Sequence, residues 1–499
     1  MNLMMLLEMA TSGFGDRVAV QNGAAALTYA ELFAAAGRQA AALARSSSER
    51  LAVLDVNSLA IPVGLFASAW AGVPFVPLNY RLTGAELDAL LGRITPAHLV
   101  TDAARAAAIG ARAGVATIAR EDFLAGPEGE PAGEWSMDPD AIAILLFTSG
   151  TTGAPKAAVL RHKHLVSYIL GSVEFGGAGE GDAALVSVPP YHIAGMAAIL
   201  SSVYSGRRIV QLASFSADAW IATARAERVT HAFVVPTMLA RIVDALEGAA
   251  DAGLPHLRAL AYGGGKMPQA VIERAMRLFP ETAFTNAYGL TETSSTIAVL
   301  GPEDHRAAAA SDDPAVRRRL VSVGRPLPSV EVEIRDEEGR PVGAGVAGEI
   351  CVRGEQVAGE YLGRGSLLAA GGWFPTRDGG AMDAAGYLFI EGRIDDVIVR
   401  GGENLSPGEI EDALLEHEAV ADCAVVGVPD EQWGEAVAAV IVTHAGRGAS
   451  AEELREWVKA RLRSSRAPQH VAFWPELPYS ETGKLLRRKV KEELARRPA

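Results

Sequence analysis

Residues 141–156 read AIAILLFTSGTTGAPK: an apolar run that stops abruptly at a stretch of hydroxyls and glycines and closes on a lysine. A short apolar run bounded by Gly, Ser and Thr predicts a strand buried on both faces, as in the parallel sheet of an α/β protein. The same texture recurs in LAVLDV (51–56), HAFVVP (231–236) and LRALAYGGG (257–265), separated by Ala/Leu-rich helical stretches. That alternation predicts layers of helix and mostly parallel sheet. Over 320–390 the runs shorten: VEVEIRDEEGRPV turns back through Glu337-Glu338-Gly339 and GEICVRG follows, which predicts a small β-rich subdomain. From Gly408 onward EIEDALLEHEAVADCAVVGVPD and a helix near 451–463 predict a compact α+β unit. Gly-Arg-Ile-Asp-Asp followed by a Gly-Gly pair marks a boundary between Arg393 and Gly402. The expected class is α/β: a large N-terminal domain, 1–393, of layered α/β subdomains plus the β-rich part, and a small α+β C-terminal domain, 394–499.

Composition narrows the partners. The chain has 499 residues with 46 Lys+Arg against 60 Asp+Glu, a formal charge of −14, and no basic run suited to tracking phosphates along a strand. Nucleic acid is therefore not an expected partner. Two cysteines, Cys351 and Cys423, stand alone, which fits neither a disulfide framework nor a zinc site and suits a reducing, cytoplasmic setting. The N-terminus, MNLMMLLEMA, lacks a basic n-region and carries Glu8 early, so it does not read as a secretory leader. Val56 to Tyr80 is uncharged and long enough to span a bilayer, but Pro62, Pro74 and Pro77 with Gly64 and Gly72 break it into strand, buried helix and strand. No transmembrane segment is expected.

The stretch after the first strand has the chemistry of a polyphosphate site. Thr148, Ser149, Thr151 and Thr152 supply hydroxyls, Gly150 and Gly153 leave backbone N–H groups open, and Lys156 adds a point charge. The glycine spacing and Ala157 after the lysine exclude a Walker A loop. A strand-to-helix turn of no catalytic use is the plain alternative.

This loop resembles the phosphate-binding signature of the adenylate-forming superfamily, which holds acyl-CoA synthetases, adenylation domains and beetle luciferases. NAYGLTET (286–293), GEICVRG (348–354), WFPTRDGG (373–380), GRIDDVIVRGGENLSPGEIE (392–411) and YSETGKLLRRK (479–489) resemble the later motifs of that family, in order and at its spacing. The resemblance spans nearly the whole chain. It implies a carboxylic acid substrate, ATP, Mg²⁺ and coenzyme A: the carboxylate attacks the α-phosphate to give acyl-AMP and pyrophosphate, then a thiol displaces AMP. It also implies that the C-terminal domain is mobile, with Asp395 at the hinge and Gly401 and Gly402 near the pantetheine.

Each implied role has a chemical reason beside it. Glu292 would hold Mg²⁺ against phosphate oxygens and Thr291 would hydrogen-bond the α-phosphate; the pair could instead open a capped helix. Tyr288 offers adenine a ring face, while Asn286, Ala287 and the backbone of Gly264 and Gly265 would meet its edge, or the glycines form only a tight turn. Asp378 suits the two ribose hydroxyls and Arg393 the ribose or phosphate. Lys484 would stabilise charge developing between carboxylate and α-phosphate, or belong to a solvated basic run with Arg487, Arg488 and Lys489. The chain departs from the family at Arg377, where a glycine is expected, and at Ala157, where glycine commonly follows the loop lysine.

PPYHIAGMAAIL (189–200) sets His192 in an apolar stretch, at the position the family gives to the mouth of the acyl pocket. Val234, Val235, Pro236 and Gly264, with Met196 and Met238, would line that pocket for a hydrophobic acyl or aryl group, or be ordinary core. Three readings stay open: an acyl-CoA ligase; an acyl-AMP ligase loading a carrier protein in trans; and a degenerate nucleotide-binding protein. A homodimer is compatible with all three.

Overall fold

The computed structural model describes residues 1–127, 131–148, 155–400, 403–430, 432–480, 483 and 485–496. They form two compact units, Met1–Glu331 with Arg353–Phe374, and Val332–Val352 with Pro375–Ala499.

The first unit contains two large sheets. In one, Val18–Asn22, Arg208–Gln211, Ala183–Val186, His231–Val234, Ala259–Gly263 and Ala283–Leu290 lie parallel, as their apolar runs predict. Antiparallel strands close its edges: Ala25–Thr28 on one side, Ser295–Leu300 and Arg325–Pro326 on the other. In the second sheet Ile142–Thr148, Phe75–Pro77, Leu51–Leu54, Ala97–Thr101 and Val115–Ala119 run parallel. Lys156–Arg161 and Glu360–Tyr361 then extend it in antiparallel fashion. Lys156 and Tyr361 lie on the antiparallel extension of the second sheet, and Glu292 lies in the turn where the first sheet passes from parallel to antiparallel pairing.

Helices fill the space between these sheets. Met4–Phe14, Tyr29–Arg45, Ala60–Ala71, His162–Ser172 and Ile193–Ser205 pack their buried faces into a core with side chains from both sheets. Ala217–Ala226, Pro236–Ala245 and Gln269–Leu278 cover the outer face of the first sheet, and Gly84–Ile94 that of the second. Burial at roughly 25 cal/mol per Å² of apolar surface drives this layering. Thr28 and Thr83 each start a helix with a full capping box, through Glu31 and Glu86.

The uncharged stretch 56–80 holds the Ala60–Ala71 helix, almost wholly buried, and the Phe75–Pro77 strand. Its first expected strand lies earlier, at Leu51–Leu54. Pro62 falls in the first helical turn, where a missing N–H costs no intrahelical bond, so it does not break the helix. Among the described residues no helix is long and apolar enough to cross a membrane.

Two histidines tie the start of the His162–Ser172 helix into the core. His162 Nδ1 accepts the Leu3 N–H at 3.2 Å, and His164 Nδ1 accepts that of Arg161 at 3.3 Å. Burial first, then neighbouring cations, hold both at about 4. A group depressed in the folded state contributes stability above its unfolded value and loses it as pH falls. These two histidines should therefore leave unfolding free energy steady above about pH 6.5 and together take roughly 2–4 kcal/mol from it by pH 5, to which other histidines that burial holds low, such as His192 and His231, add, since each group contributes up to about 1.36 kcal/mol per pH unit. Urea midpoints at pH 7.5 and pH 5 check this; equal midpoints would show that neither histidine is held neutral by folding.

In the second unit, Val420–Asp430 and Gly434–Thr443 form the long antiparallel pair of a small sheet. Alternate residues serve opposite faces, as a period of two demands. Cys423 and Val425 pack with Leu414 and Leu454 from helices Pro407–Leu415 and Ala451–Arg461, while Ala424 and Val426 pack with Val490 of the Arg487–Arg496 helix. The expected α+β unit is thus present. A separate four-stranded sheet, Glu331–Arg335, Gly348–Arg353, Phe374–Met382 and Leu388–Arg393, with the last two strands antiparallel, realises the β-rich texture of 320–390.

Candidate active site

Thr148 and Lys156 end and begin two antiparallel strands and face each other in register, with Thr148 Oγ1 donating to the Lys156 carbonyl at 3.4 Å. Lys156 therefore opens a strand and not a helix, and the loop connects two antiparallel neighbours. The correction follows from KAAVLR pairing with AIAILLF, a partner that outweighs the weak helical preference of two alanines. Ser149, Gly150, Thr151, Thr152 and Gly153 lie outside the described residues.

At this stem the structure gathers three side chains. The Lys156 ammonium sits 5.7 Å from the centroid of the Tyr361 ring, and the Tyr361 hydroxyl donates to Glu292 Oε1. Glu292 lies in a three-residue 3-10 turn, Thr291–Thr293, whose cap is Thr293 Oγ1 on the Leu290 N–H at 2.9 Å. The alternative of a helix opened by Thr291 is not what forms. The Glu292 carbonyl accepts from Ala358 and Gly359 at 2.8 and 3.0 Å. After it the chain passes through Ser294 and Ser295 at φ 57° and 105°, and fully buried Gln356 ties the turn through the Thr293 and Thr296 carbonyls at 3.2 and 2.8 Å. Two left-handed non-glycine residues in succession cost roughly 1–2 kcal/mol each, so surrounding bonds must hold this turn.

Among the described residues no group of three His, Cys, Asp or Glu could hold a metal by itself. A single carboxylate beside a lysine fits a hard cation that takes most of its ligands from phosphate oxygens and water.

The strand that delivers Glu292 also carries Asn286, Ala287 and Tyr288, with Tyr262 and Gly263 paired to Asn286 and Ala287. A Cβ on Gly263 would lie 2.1 Å from the Ala287 carbonyl oxygen, so sheet contact requires that glycine. Gly264 adopts φ 84°, and a Cβ there would come within ordinary contact of Val235, at 3.7 Å; it and Gly265 are exposed. Asn286 is buried and donates Nδ2 to the Ser322 carbonyl at 3.0 Å, while Tyr288 keeps partial exposure. Val234, Val235, Pro236 and Met238 are buried, with Val234, Val235 and Met238 in the core cluster beneath the sheet.

His192 caps the Ile193–Ser205 helix with extended backbone. Its ring lies tilted against Tyr191, centroids 4.5 Å apart, and Tyr191 in turn meets Tyr80 edge-on at 5.5 Å. Burial pushes His192 down to about 4, so the ring is neutral at pH 7. Its Nε2 and the Tyr191 hydroxyl are shielded from solvent with no hydrogen-bond partner among the described residues. A core histidine ordinarily satisfies both ring nitrogens; an open Nε2 suits a polar ligand.

In the second unit, Asp378 and Arg393 pair across adjacent strands. Arg393 Nη1 donates to Asp378 Oδ1 at 2.8 Å and to the Thr376 carbonyl at 3.1 Å; Asp378 is only 6% exposed. The family's glycine position is explained next door: Arg377 holds φ 63°, a left-handed angle that glycine adopts freely. Arg377 stays there with its N–H on Glu349 at 3.0 Å and its Nη2 on Asp395 at 2.5 Å. Arg377→Gly should raise stability by at most about 1 kcal/mol, because relief of roughly 1–2 kcal/mol of strain is offset by the 0.2–1 of an exposed ion pair and by about 0.5–1 of glycine's unfolded-chain entropy. Denaturant midpoints measure the change; a loss would mean the pair and the chain entropy together outweigh the strain.

Lys484, Gly401 and Gly402 lie outside the described residues. Lys484's neighbours bridge back, Leu485 to Tyr479, and Tyr479 Oη donates to both Asp422 oxygens at 3.0 and 2.9 Å. The basic run beside it is not all solvated. Arg487 grips buried Glu411 through two 2.6 Å bonds, whereas Arg488 is largely exposed and pairs with Glu492. Sequence reasoning missed Tyr361 altogether, and missed Glu411 as the partner of Arg487.

Comparison with known proteins places the chain in a family. Residues 7–362 match the AMP-binding enzyme family and 409–484 its C-terminal domain. A feruloyl-CoA synthase of an Amycolatopsis species is 34% identical over 493 residues, 95% of each chain. The fatty acid–[acyl-carrier-protein] ligase ScoC of Streptomyces coeruleorubidus is 31% identical, over 93% of this chain and 91% of its own. The o-succinylbenzoate CoA synthetase MenE of Bacillus subtilis, solved with its acyl-adenylate intermediate, superposes with a TM-score of 0.83 at 30% identity over 97% of both chains. MenE has also been solved with ATP and magnesium ion. With both segments of the family matched in order and a relative 34% identical over 95% of its length, this chain belongs to the AMP-binding enzyme family.

Proposed function

We propose that this AMP-forming acid–thiol ligase activates a hydrophobic aliphatic or aryl carboxylic acid and transfers it to coenzyme A. The observation that carries the reading is the meeting of Lys156, Tyr361 and Glu292 at the stem of the hydroxyl- and glycine-rich loop. In the first half-reaction a carboxylate oxygen bonds to the α-phosphorus of ATP and the bond to the β-phosphate oxygen breaks, releasing pyrophosphate. In the second, the thiol loses its proton, its sulfur attacks the acyl carbon, and AMP leaves.

Thr148, Ser149, Gly150, Thr151, Thr152, Gly153 and Lys156 hold the β- and γ-phosphates. Thr291 donates to the α-phosphate, and Glu292 ligates Mg²⁺, which when bound neutralises developing phosphate charge. Tyr288 stacks on adenine, with Asn286, Ala287, Gly264 and Gly265 framing its edge; the Asn286 side chain acts by fixing this strand to Ser322. Asp378 takes the ribose hydroxyls, oriented by Arg393. Neutral His192 offers Nε2 to the substrate carboxylate, and Val234, Val235, Pro236 and Gly264 bound the acyl group. Lys484 completes the adenylating arrangement. The chain divides functionally at 393, inside the 363–408 stretch that neither family segment covers. Asp395 is the hinge of a mobile 394–499 domain that brings Gly401 and Gly402 to the pantetheine. Buried, free Cys351 and Cys423 support a cytoplasmic setting.

A panel of aliphatic and aromatic acids, assayed for AMP release with ATP, Mg²⁺ and coenzyme A, tests the reading. Mass spectrometry of the product should show acyl-CoA. Similarity to ScoC favours a second reading, transfer to a carrier protein in trans; acyl-AMP that accumulates with coenzyme A yet clears with a phosphopantetheinylated carrier would establish it instead. ATP binding with no AMP from any acid would point to a degenerate site.

A further inference from the structure

Tyr361 has no part in the assignments above except as a neighbour, yet it makes the contacts that organise them. Its ring carries the Lys156 ammonium and its hydroxyl donates to Glu292 Oε1. Its own position is fixed from three directions. Tyr361 pairs with Ala158 in the sheet, Leu362 N–H donates to the Ala157 carbonyl at 2.9 Å, and Glu360 forms a two-pronged ion pair with Arg161 at 3.0 and 2.8 Å. The segment just before it reaches the same turn from below, Ala358 and Gly359 donating to the Glu292 carbonyl. One short segment therefore grips both the backbone and the side chain of Glu292, and is itself bonded to the strand that begins at Lys156.

We infer that Tyr361 is a positioning residue for metal–nucleotide binding: its hydroxyl occupies one Glu292 oxygen and so aims the other at the cation, while its ring holds Lys156 beside the phosphates. The chemistry is that of second-sphere support, in which a hydrogen bond to a ligating carboxylate fixes its orientation and tunes affinity by 10- to 100-fold. The ring contributes separately, since an ammonium within about 6 Å of an aromatic centroid is attracted to its face without losing its protons to a competing acceptor. The inference rests on Glu292 being the metal ligand, and the test separates the two.

Equilibrium binding of ATP, followed by titration calorimetry with no acid present, gives the Kd with Mg²⁺ and with EDTA; their ratio reports how much the cation strengthens binding, independently of turnover. Tyr361→Phe keeps the ring and removes only the hydroxyl. It should lower that ratio about 10-fold and leave the EDTA value unchanged. Tyr361→Leu should in addition weaken ATP binding in EDTA, because Lys156 loses its platform. In a Glu292→Gln background, Tyr361→Phe should have no further effect on the ratio. A Tyr361→Phe ratio equal to wild type, or an effect that persists undiminished in the Glu292→Gln background, would overturn the inference while leaving Glu292 in place. A Glu292→Gln protein with the wild-type ratio would overturn the Glu292 assignment itself.

Discussion

Glu292→Gln should lower acyl-AMP formation by about 10²-fold or more, equivalent to about 2.7 kcal/mol of lost transition-state stabilisation. The substitution is well isolated by the structure. The turn is held by the Glu292 carbonyl, by Thr293 on the Leu290 N–H and by Gln356, none of which involves the carboxylate charge. A glutamine Oε1 can still accept from Tyr361, so shape and hydrogen bonding survive and only the charge is removed. ATP–pyrophosphate exchange at saturating acid and Mg²⁺ reads the adenylation step directly. An exchange rate within a fewfold of wild type would show that Glu292 does not bear on the phosphates.

The layers of the fold were legible because they rest on local patterns. AIAILLF, HAFVVP and LRALAYGGG are apolar runs that suit strands buried on both faces, and each became one. The strand after the phosphate loop was not legible in the same way. KAAVLR has no strong preference of its own, and its conformation comes from pairing with Ile142–Thr148. The antiparallel strands that carry Lys156 and Tyr361 depend on such pairings, so this part of the candidate site was the part least determined by local sequence.

Residue chemistry was legible at the motifs and illegible at the contacts between them. Glu292, Asp378 and Arg393 stand out as residues of the right type in turn-rich segments, and the structure joins Asp378 to Arg393. Tyr361 gave no signal, because its hydroxyl reaches a carboxylate 69 positions earlier in the chain. Arg377 is an intermediate case. The sequence flags it as an arginine where glycine is expected, but only the φ of 63° explains why glycine is the usual choice.

Arg487 shows how charge runs mislead, and it decides how the largest effect should be tested. Lys484→Ala is expected to cost roughly 10²–10³-fold in acyl-AMP formation, about 3–4 kcal/mol, if Lys484 meets the carboxylate and α-phosphate as charge develops between them. The thiol step should survive, since the lysine serves only the adenylating arrangement. Supplying synthetic acyl-AMP and coenzyme A to the variant therefore separates the outcomes: near-normal thioester formation with failed adenylation supports the role, and failure of both half-reactions indicates a damaged domain. A neighbouring arginine would seem the natural control, but Arg487 is unsuited to it. Its guanidinium is bound twice to Glu411, which also accepts the Val425 N–H at 2.8 Å inside the domain. Arg487→Ala would strip both charge-assisted bonds from that buried carboxylate, at a cost of roughly 3–5 kcal/mol in stability, and its loss of activity would mimic a catalytic defect. Arg488 is 67% exposed at its side chain and, among the described residues, pairs along its own helix with Glu492, so Arg488→Ala removes the same charge with an expected effect under about 1 kcal/mol. If Lys484→Ala and Arg488→Ala adenylate alike, Lys484 is one more solvated cation and has no part in the reaction.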